Sequence, residues 1–180
     1  MRFNFDKYKK LLIAKYNMSQ NSFDENLNNW IKKRENLESS KRDFIWSCFN
    51  FLLLDYSKNS NDEIAMYNSQ KDIYWDMRLM LIDEGRDSKH IIKVINFIFL
   101  KISEINDNNA KFESELVIIG TKCCEECNKI DGIKTTIRKE LANQLLPYNK
   151  CTRESGCICC YADLFKRGEN GRLIRKRKPS

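Results

Sequence analysis

Cysteine dominates the chemistry that this sequence can offer, and its spacing indicates a metal site. Seven of the eight cysteines lie between residues 123 and 160, where Cys124 and Cys127 form one CxxC pair and Cys157 and Cys160 form another. Two thiolates that are three residues apart can bind one metal ion from a tight turn, and a second pair completes a tetrahedron. The sequence therefore predicts one structural zinc ion held by these four residues.

The choice of ligands stays open at the level of sequence. Cys151 and Cys159 are alternative ligands, because the second cluster holds more cysteines than one pair needs. Cys123 is expected to point away from Cys124, since neighbouring side chains of an extended chain alternate in direction. The three cysteines left over are too few for a second metal, so we expect a single zinc ion.

Other uses of these cysteines fit the sequence less well. Disulfides form in oxidising compartments, and the N-terminus lacks the apolar core of about 7–15 residues of a secretory signal. A redox CxxC motif needs one pair beside a strand–helix unit, not two pairs with extra cysteines. An iron–sulfur cluster uses the same ligands, and spacing alone does not separate it from zinc. Without a signal or an apolar run of about 20 residues, the chain is expected to be cytoplasmic and not membrane-bound.

Positive charge is concentrated in the same part of the chain. Residues 1–120 contain 18 Lys and Arg and 18 Asp and Glu, whereas residues 121–180 contain 14 and 7, which accounts for the net charge of +7. Such a field attracts phosphate-rich partners whatever their sequence. The alternative is a solvated tail that only aids solubility. The predicted nucleic-acid contacts are Lys166, Arg167, Arg172, Arg175, Lys176, Arg177 and Lys178.

Helical periodicity prevails in the first 110 residues and predicts a bundle of about five helices. The segment from Phe44 to Leu54 is apolar on nearly every side, so we expect it to form the central helix, with Cys48 as a small core residue. The polar stretch from Ile105 to Lys111 predicts the end of the bundle. The expected domains are a helical domain over residues 1–110, a cysteine-rich zinc module over 111–166 and a basic tail over 167–180.

Local signals indicate where several helices start. Ser22 with Glu25 and Ser60 with Glu63 match the capping box, a pattern typical of helix N-termini. Ser88 is expected to cap the next helix, after a left-handed helix end at Gly85.

The C-terminal module is expected to combine strand and helix. The β-branched residues from Ser114 to Gly120 predict a strand that leads into the first CxxC pair. A short helix is expected from Thr136 to Leu146, ended by Pro147, and one helical turn from Tyr161 to Lys166. This order is typical of treble-clef or zinc-ribbon modules, so the predicted class is mainly α with a small α+β module.

The segment CEECNKIDG, which starts at Cys124, resembles the cysteine-rich C-terminal motif of phage Mu F-like head-morphogenesis proteins. In that motif a CxxC pair precedes an Asp-Gly turn, a short helix, a proline and a second cysteine cluster. The chain lacks the His-Pro-Asn lead-in of the motif and has Ile158 in place of its arginine. The resemblance implies a protein linked to a phage or mobile element, with a structural zinc module. The matching residues, within about 40 of 180, are Cys124, Cys127, Asp131, Gly132, Pro147, Cys157, Cys159 and Cys160.

A closed site of four thiolates argues against catalysis, because catalytic zinc needs an open position and a neighbouring acid or base. The sequence has no HExxH motif, and its one histidine, His90, is expected at the surface. We therefore predict a non-enzymatic, zinc-binding protein that binds nucleic acid largely independently of sequence. One alternative is a phage- or mobile-element-associated adaptor that binds a protein partner through its helical domain. The other is a metal-dependent nuclease, although the acids near the site are expected to be solvated: Glu125, Glu126, Asp131 and Glu140.

Overall fold

The first part of the chain folds into five helices, as its sequence predicts. The computed structural model describes residues 3–34, 37–120, 124–154 and 156–177. Across these ranges, no helix combines the length and the apolar character that crossing a membrane requires. The five helices are α1 (Phe5–Tyr16), α2 (Gln20–Ile31), α3 (Leu37–Asn59), α4 (Glu63–Asp83) and α5 (Lys89–Asn109).

Short polar side chains begin these helices, although not always at the residues that the sequence indicated. Asn4, Ser19 and Asp62 are the N-caps of α1, α2 and α4, and each side chain accepts a backbone N–H of the first turn. The capping boxes predicted at Ser22 and Ser60 are wrong. Ser22 already lies inside α2, and the hydroxyl of Ser60 donates to the backbone carbonyl of Asp62.

A short connection joins α4 to α5. Gly85 has a φ of +69°, the left-handed conformation that suits glycine after a helix C-terminus. Ser88 is the N-cap residue of α5, as predicted, but its side chain makes no capping hydrogen bond. The carboxylate of Asp87 accepts the N–H of Lys89 instead. The two helices therefore turn back on each other and pack in extensive contact.

Helix α3 lies at the centre of the bundle, as its apolar sequence indicates. It packs against α1, α2 and α4, and its residues Phe44, Ile45, Phe49 and Leu52 are buried in their shared core. Cys48 is buried in the same core, which confirms that it is a core residue. Burial raises the pKa of its thiol to about 12, so this sulfur is neutral near neutral pH.

Two tyrosines of α1 connect that helix to α4. Tyr8 donates a hydrogen bond to Asp83 at 2.7 Å, and Tyr16 donates one to Asp76. Burial, and then the hydrogen bond to the carboxylate, raise the pKa of both phenols. Both links therefore require a protonated tyrosine and weaken in alkaline solution.

The second part of the chain forms a small three-stranded sheet with two short helices. The strand order is β2-β1-β3 and both pairings are antiparallel, so that Leu116 of the middle strand lies opposite Thr135 and Asp163. The helical turn predicted from Tyr161 to Lys166 is wrong, because this segment pairs with the middle strand. The elements are β1 (Ser114–Ile119), α6 (Glu125–Asn128), β2 (Lys134–Thr135), α7 (Ile137–Ala142) and β3 (Cys160–Phe165).

One face of this sheet packs on α5, so the two parts of the chain share a core. Leu116, Ile118 and Tyr161 are buried in one cluster with Leu100 of α5. The hydroxyl of Ser103 in α5 donates to Asp163 of β3 at 2.6 Å. Helix α5 also continues to Asn109, past the start of the stretch that the sequence indicated as its end. Helix α5 therefore contributes to the core of the cysteine-rich part.

The basic segment after β3 folds back onto the sheet, and we call residues 166–177 the C-terminal hairpin. Its turn is closed by a 2.8 Å hydrogen bond from the N–H of Gly171 to the carbonyl of Gly168. The N–H of Ile174 donates to Lys166, and its carbonyl accepts the N–H of Glu113, just before β1. The hairpin therefore extends the sheet at the end of β1 and β3.

Candidate metal centre

The first CxxC pair lies in a tight turn immediately before the short helix α6. Cys124 is the N-cap of α6, and its sulfur accepts the backbone N–H of Cys127 at 3.4 Å. Cys127 itself is fully buried, in the same core cluster as Leu100 and Leu116. A sulfur that accepts a backbone N–H carries its negative charge more easily. The local geometry therefore suits a thiolate at Cys124.

Gly120 and Asp131 close this turn from behind. The N–H of Gly120 donates to the carboxylate of Asp131 at 2.7 Å. A Cβ on Gly120 would lie 2.6 Å from the carbonyl oxygen of Cys127, so only glycine fits. Gly132 has a φ of +75°, and its N–H donates to Ile118 of β1 at 2.8 Å. The predicted Asp-Gly turn is therefore present, and it fixes the loop between β1 and β2.

The second cysteine cluster leads directly into β3. Cys157 and Cys159 are each only 1% exposed, whereas Cys160 is exposed and is the first residue of the strand, opposite Ile119. Neighbouring side chains of a strand point to opposite faces. Cys159 therefore faces the core and Cys160 faces away from it. The structure brings Cys159, the predicted alternative, to the other cysteines, whereas the predicted ligand Cys160 lies in neither group.

Five cysteines form two groups that could hold a metal ion and that share Cys127. In each group all three sulfurs lie within 4.8 Å of one another. The sulfurs of Cys124 and Cys151 are 3.8 Å apart, and those of Cys127 and Cys157 are 4.0 Å apart. A tetrahedral zinc with Zn–S bonds near 2.3 Å separates its sulfurs by about 3.8 Å. The first group is Cys124, Cys127 and Cys151, and the second is Cys127, Cys157 and Cys159.

The two ends of the cluster differ in acidity. Hydrogen bonds from the backbone of Thr152 and then Cys127 lower the pKa of the Cys124 thiol to about 6. Burial raises the pKa of the Cys157 thiol to about 11, although backbone N–H groups of Cys159 and Tyr148 act in the opposite direction. A bound cation supplies the positive charge that a buried thiolate needs. Metal binding at this cluster should therefore release protons, mainly from the buried side.

The remaining predicted site residues are placed as follows. Cys123 lies outside the described residues. His90 is exposed in the first turn of α5, as predicted. Of the four acids expected to be solvated, Glu125 is exposed, Glu126 pairs with Lys129, and Asp131 is exposed while it binds Gly120. The fourth, Glu140, is 2% exposed, so its expected solvation is wrong.

Sequence reasoning missed a buried hydrogen-bond network around Glu140. Its carboxylate accepts the Tyr161 hydroxyl at 2.6 Å, the Thr135 hydroxyl at 2.8 Å and the N–H of Leu145 at 2.9 Å. The Tyr161 hydroxyl in turn accepts the N–H of Leu146 at 3.1 Å. The network joins β2, α7 and β3 beside the cysteine cluster. A sequence signal exists, because Glu140 stands three residues after Ile137 and so lies on the buried side of α7.

The predicted nucleic-acid contacts divide into two sets on the C-terminal hairpin. Lys166 pairs with Glu113 at 3.2 Å, and Lys176 pairs with Asp107 at 2.9 Å. Arg167 donates to the carbonyl of Gly171 at 2.8 Å. Lys178 is outside the described residues. The other three, Arg172, Arg175 and Arg177, are exposed and form no ion pair with any acid that the structure describes.

Comparison with known proteins adds no relative: no family model, curated protein or solved structure matches the chain. The resemblance of the cysteine motif to phage Mu F-like proteins stays a prediction. The functional argument therefore depends on the geometry of the cysteine cluster and of the hairpin beside it.

Proposed function

We propose that the cysteine cluster binds one zinc ion and that the module it stabilises binds nucleic acid through the C-terminal hairpin. Zinc takes four of the five clustered thiolates, and Cys127 is in the set because it belongs to both groups. The turn that contains Cys124 and Cys127 lies between β1 and β2, and the segment that contains Cys157 and Cys159 leads into β3. This order suits a zinc-ribbon-like module. Binding of the metal would add stability to this small unit, whose remaining core is shared with α5.

The nucleic-acid proposal depends on the observation that Arg172, Arg175 and Arg177 are exposed and form no ion pair with a described acid. Arg175 pairs through its backbone with Phe112, and Arg172 follows the hairpin turn, so these side chains project from ordered backbone. Arg175 and Arg177 are two residues apart in an extended segment and so point to the same side. Guanidinium groups without carboxylate partners bind phosphate oxygens readily. Phosphate contacts of this kind do not read sequence.

A matched pair of triple variants tests the proposal. In Arg172→Gln/Arg175→Gln/Arg177→Gln we expect weaker binding of mixed-sequence duplex DNA and single-stranded RNA, measured by fluorescence anisotropy over a salt series. Each lost phosphate contact lowers the log–log salt slope by about 0.7–0.9, so the total change is about 2–3. The control carries the same charge change on exposed lysines of the bundle: Lys10→Gln/Lys58→Gln/Lys93→Gln.

The two triple variants distinguish binding at the C-terminal hairpin from attraction by the overall charge of the protein. Equal weakening in both triple variants means that overall charge alone attracts nucleic acid, and the hairpin proposal is then wrong.

Elemental analysis of protein purified under reducing conditions tests the metal, and we expect about one zinc per chain.

The second candidate is an adaptor that binds a protein partner through the helical domain. A groove of about 610 Å³ between α2 and α3 favours it, because Phe23, Phe44 and the exposed Phe51 line it with apolar surface. Lys33 and Arg34 line the same groove just after α2, which suits an amphipathic partner helix with acidic residues at one end. If the wild-type protein binds neither DNA nor RNA at low salt, this candidate replaces the first.

A further inference from the structure

A separate cavity of about 270 Å³ lies where the helical bundle meets the cysteine-rich part. Helix α4 contributes Lys71 and Trp75, and β3 with the residues before it contributes the segment 158–161. Helix α5 contributes Ile92, Ile95, Asn96 and Phe99, which share one helix face. The cavity exists only because the two parts of the chain pack together. It is distinct from the C-terminal hairpin and from the groove between α2 and α3, and it borders the candidate metal centre at Cys159.

Asn96 is the unusual residue of this cavity. Asn96 is 5% exposed, and its side-chain amide nitrogen has no hydrogen-bond partner among the residues that the structure describes. Buried amides are nearly always hydrogen-bonded, because an unsatisfied buried donor is costly. A polar group in a mainly apolar wall is the usual arrangement for fixing the orientation of a small ligand.

The other lining residues define the chemistry of that ligand. Trp75, Phe99 and Tyr161 supply aromatic surface, and the hydroxyl of Tyr161 is already occupied by Glu140. Lys71 is the one cation of the described lining, which holds no carboxylate. Its ammonium donates one hydrogen bond, to Asn68 at 3.0 Å, and so keeps two further donors. The volume lies just below the usual range for ligand pockets, about 300–1,000 Å³, so the ligand must be compact.

We propose that this cavity is a binding site for a compact aromatic carboxylate. The aromatic body lies against the isoleucines and aromatic rings, and a carboxylate oxygen accepts the amide N–H of Asn96. The ammonium of Lys71 offsets the negative charge. The proposal is independent of nucleic-acid binding, because neither Asn96 nor Lys71 belongs to the hairpin.

Three probes of similar size test the proposal on the full chain, purified under reducing conditions. Benzoate carries both the acceptor and the charge, benzamide carries only the acceptor, and toluene carries neither. We expect benzoate to bind best and toluene worst in NMR titrations that follow the side-chain amide of Asn96 and the methyl groups of Ile92 and Ile95.

Two variants assign the contacts. Asn96→Leu keeps the branched shape but removes the amide donor, so it should weaken benzoate and benzamide about tenfold, the effect of one hydrogen bond, while toluene is not weakened in this way. Lys71→Met should weaken benzoate alone. Lys93→Met, on the exposed side of α5, should change nothing.

Three results would overturn the proposal. The first is that no probe moves the Asn96 signals, which means that the cavity holds only water. The second is that toluene binds as tightly as benzoate, and the third is that Asn96→Leu binds benzoate like the wild type.

Discussion

Replacing Tyr161 with phenylalanine should destabilise the cysteine-rich part while leaving the helical bundle intact. The change removes one hydroxyl and leaves the packed ring in place. That hydroxyl makes two buried hydrogen bonds, a donation to Glu140 at 2.6 Å and an acceptance from the N–H of Leu146 at 3.1 Å. Both partners are at most 2% exposed, so water does not replace the lost contacts.

The magnitude follows from the two lost contacts. A hydrogen bond to a charged group contributes about 1.5–3 kcal/mol, and a buried N–H left without an acceptor costs about 1–3 kcal/mol. The carboxylate of Glu140 keeps its bonds from Thr135 and Leu145, which limits the damage. We therefore expect a loss of about 3–5 kcal/mol, a large share of the stability of a small domain.

The assay can report on each part of the chain separately. All three tryptophans lie in the helical bundle, and Trp30 and Trp46 pack against its core, so fluorescence during urea unfolding follows mainly that part. Release of zinc to a chromogenic chelator follows the cysteine-rich part. In Tyr161→Phe we expect zinc release at a clearly lower urea concentration, with a smaller change in tryptophan fluorescence.

The matched control is Tyr148→Phe. Tyr148 packs against the same core cluster, but its hydroxyl makes no hydrogen bond to any described residue. Its effect should stay within about 0.5 kcal/mol, as for most substitutions away from such networks. Zinc release at the same urea concentration in the two variants would refute the stabilising role of the Glu140 network.

Three further predictions concern the cysteine cluster, its turn and the tyrosines. Cys127→Ser should abolish zinc binding, because both cysteine groups contain this sulfur. Cys160→Ser should still bind one zinc ion, as measured by elemental analysis. Loss of zinc in both variants would mean that Cys160 is a ligand. Gly120→Ala should lower zinc affinity in chelator competition, because the added Cβ would lie 2.6 Å from the Cys127 carbonyl oxygen and force the turn at Cys124 to move. The control is Gly168→Ala, whose Cβ would have its nearest contact at 3.4 Å. Equal zinc affinities of the two variants would contradict this reasoning. The stabilisation that Tyr8, Tyr16 and Tyr161 contribute should be constant below about pH 10, the usual pKa of tyrosine, and fall above it. Their pKa values are raised in the folded state, so above that pH the unfolded chain loses phenolic protons more readily than the folded chain. Circular dichroism with tyrosinate absorbance checks this, and phenols that ionise while the helices stay fully folded would contradict it.

Residue pattern alone was sufficient for several features of this protein. Helical periodicity predicted five helices because each helix buries one side, and α3 could be recognised as central because it is apolar almost all round. The β-branched run from Val117 to Ile119 predicted β1, because such side chains favour extended backbone. The CxxC spacing at Cys124 and Cys127 indicated a tight turn that could contribute sulfurs to a metal-binding cluster, since it is a local property of the chain.

Tertiary structure alone decided the composition of the site. Cys159 and Cys160 are adjacent in sequence, and which of them faces the cluster depends on the pairing of β3 with β1, a contact between residues about 40 positions apart. A segment with the pattern of Tyr161 to Lys166 suits a helical turn or a strand, and only a partner strand selects between them.

The same distinction applies to charge and burial. The sequence shows that the last residues are basic, but not that Lys166 and Lys176 are paired with acids while three arginines stay exposed. Glu140 has the character of a surface residue until β3 brings the Tyr161 hydroxyl to it. Local patterns determine which segments fold, because they depend on neighbours along the chain. The identity of the ligands, the free cations among the described residues and the cavity at Asn96 depend on contacts between distant segments, which only the folded chain supplies.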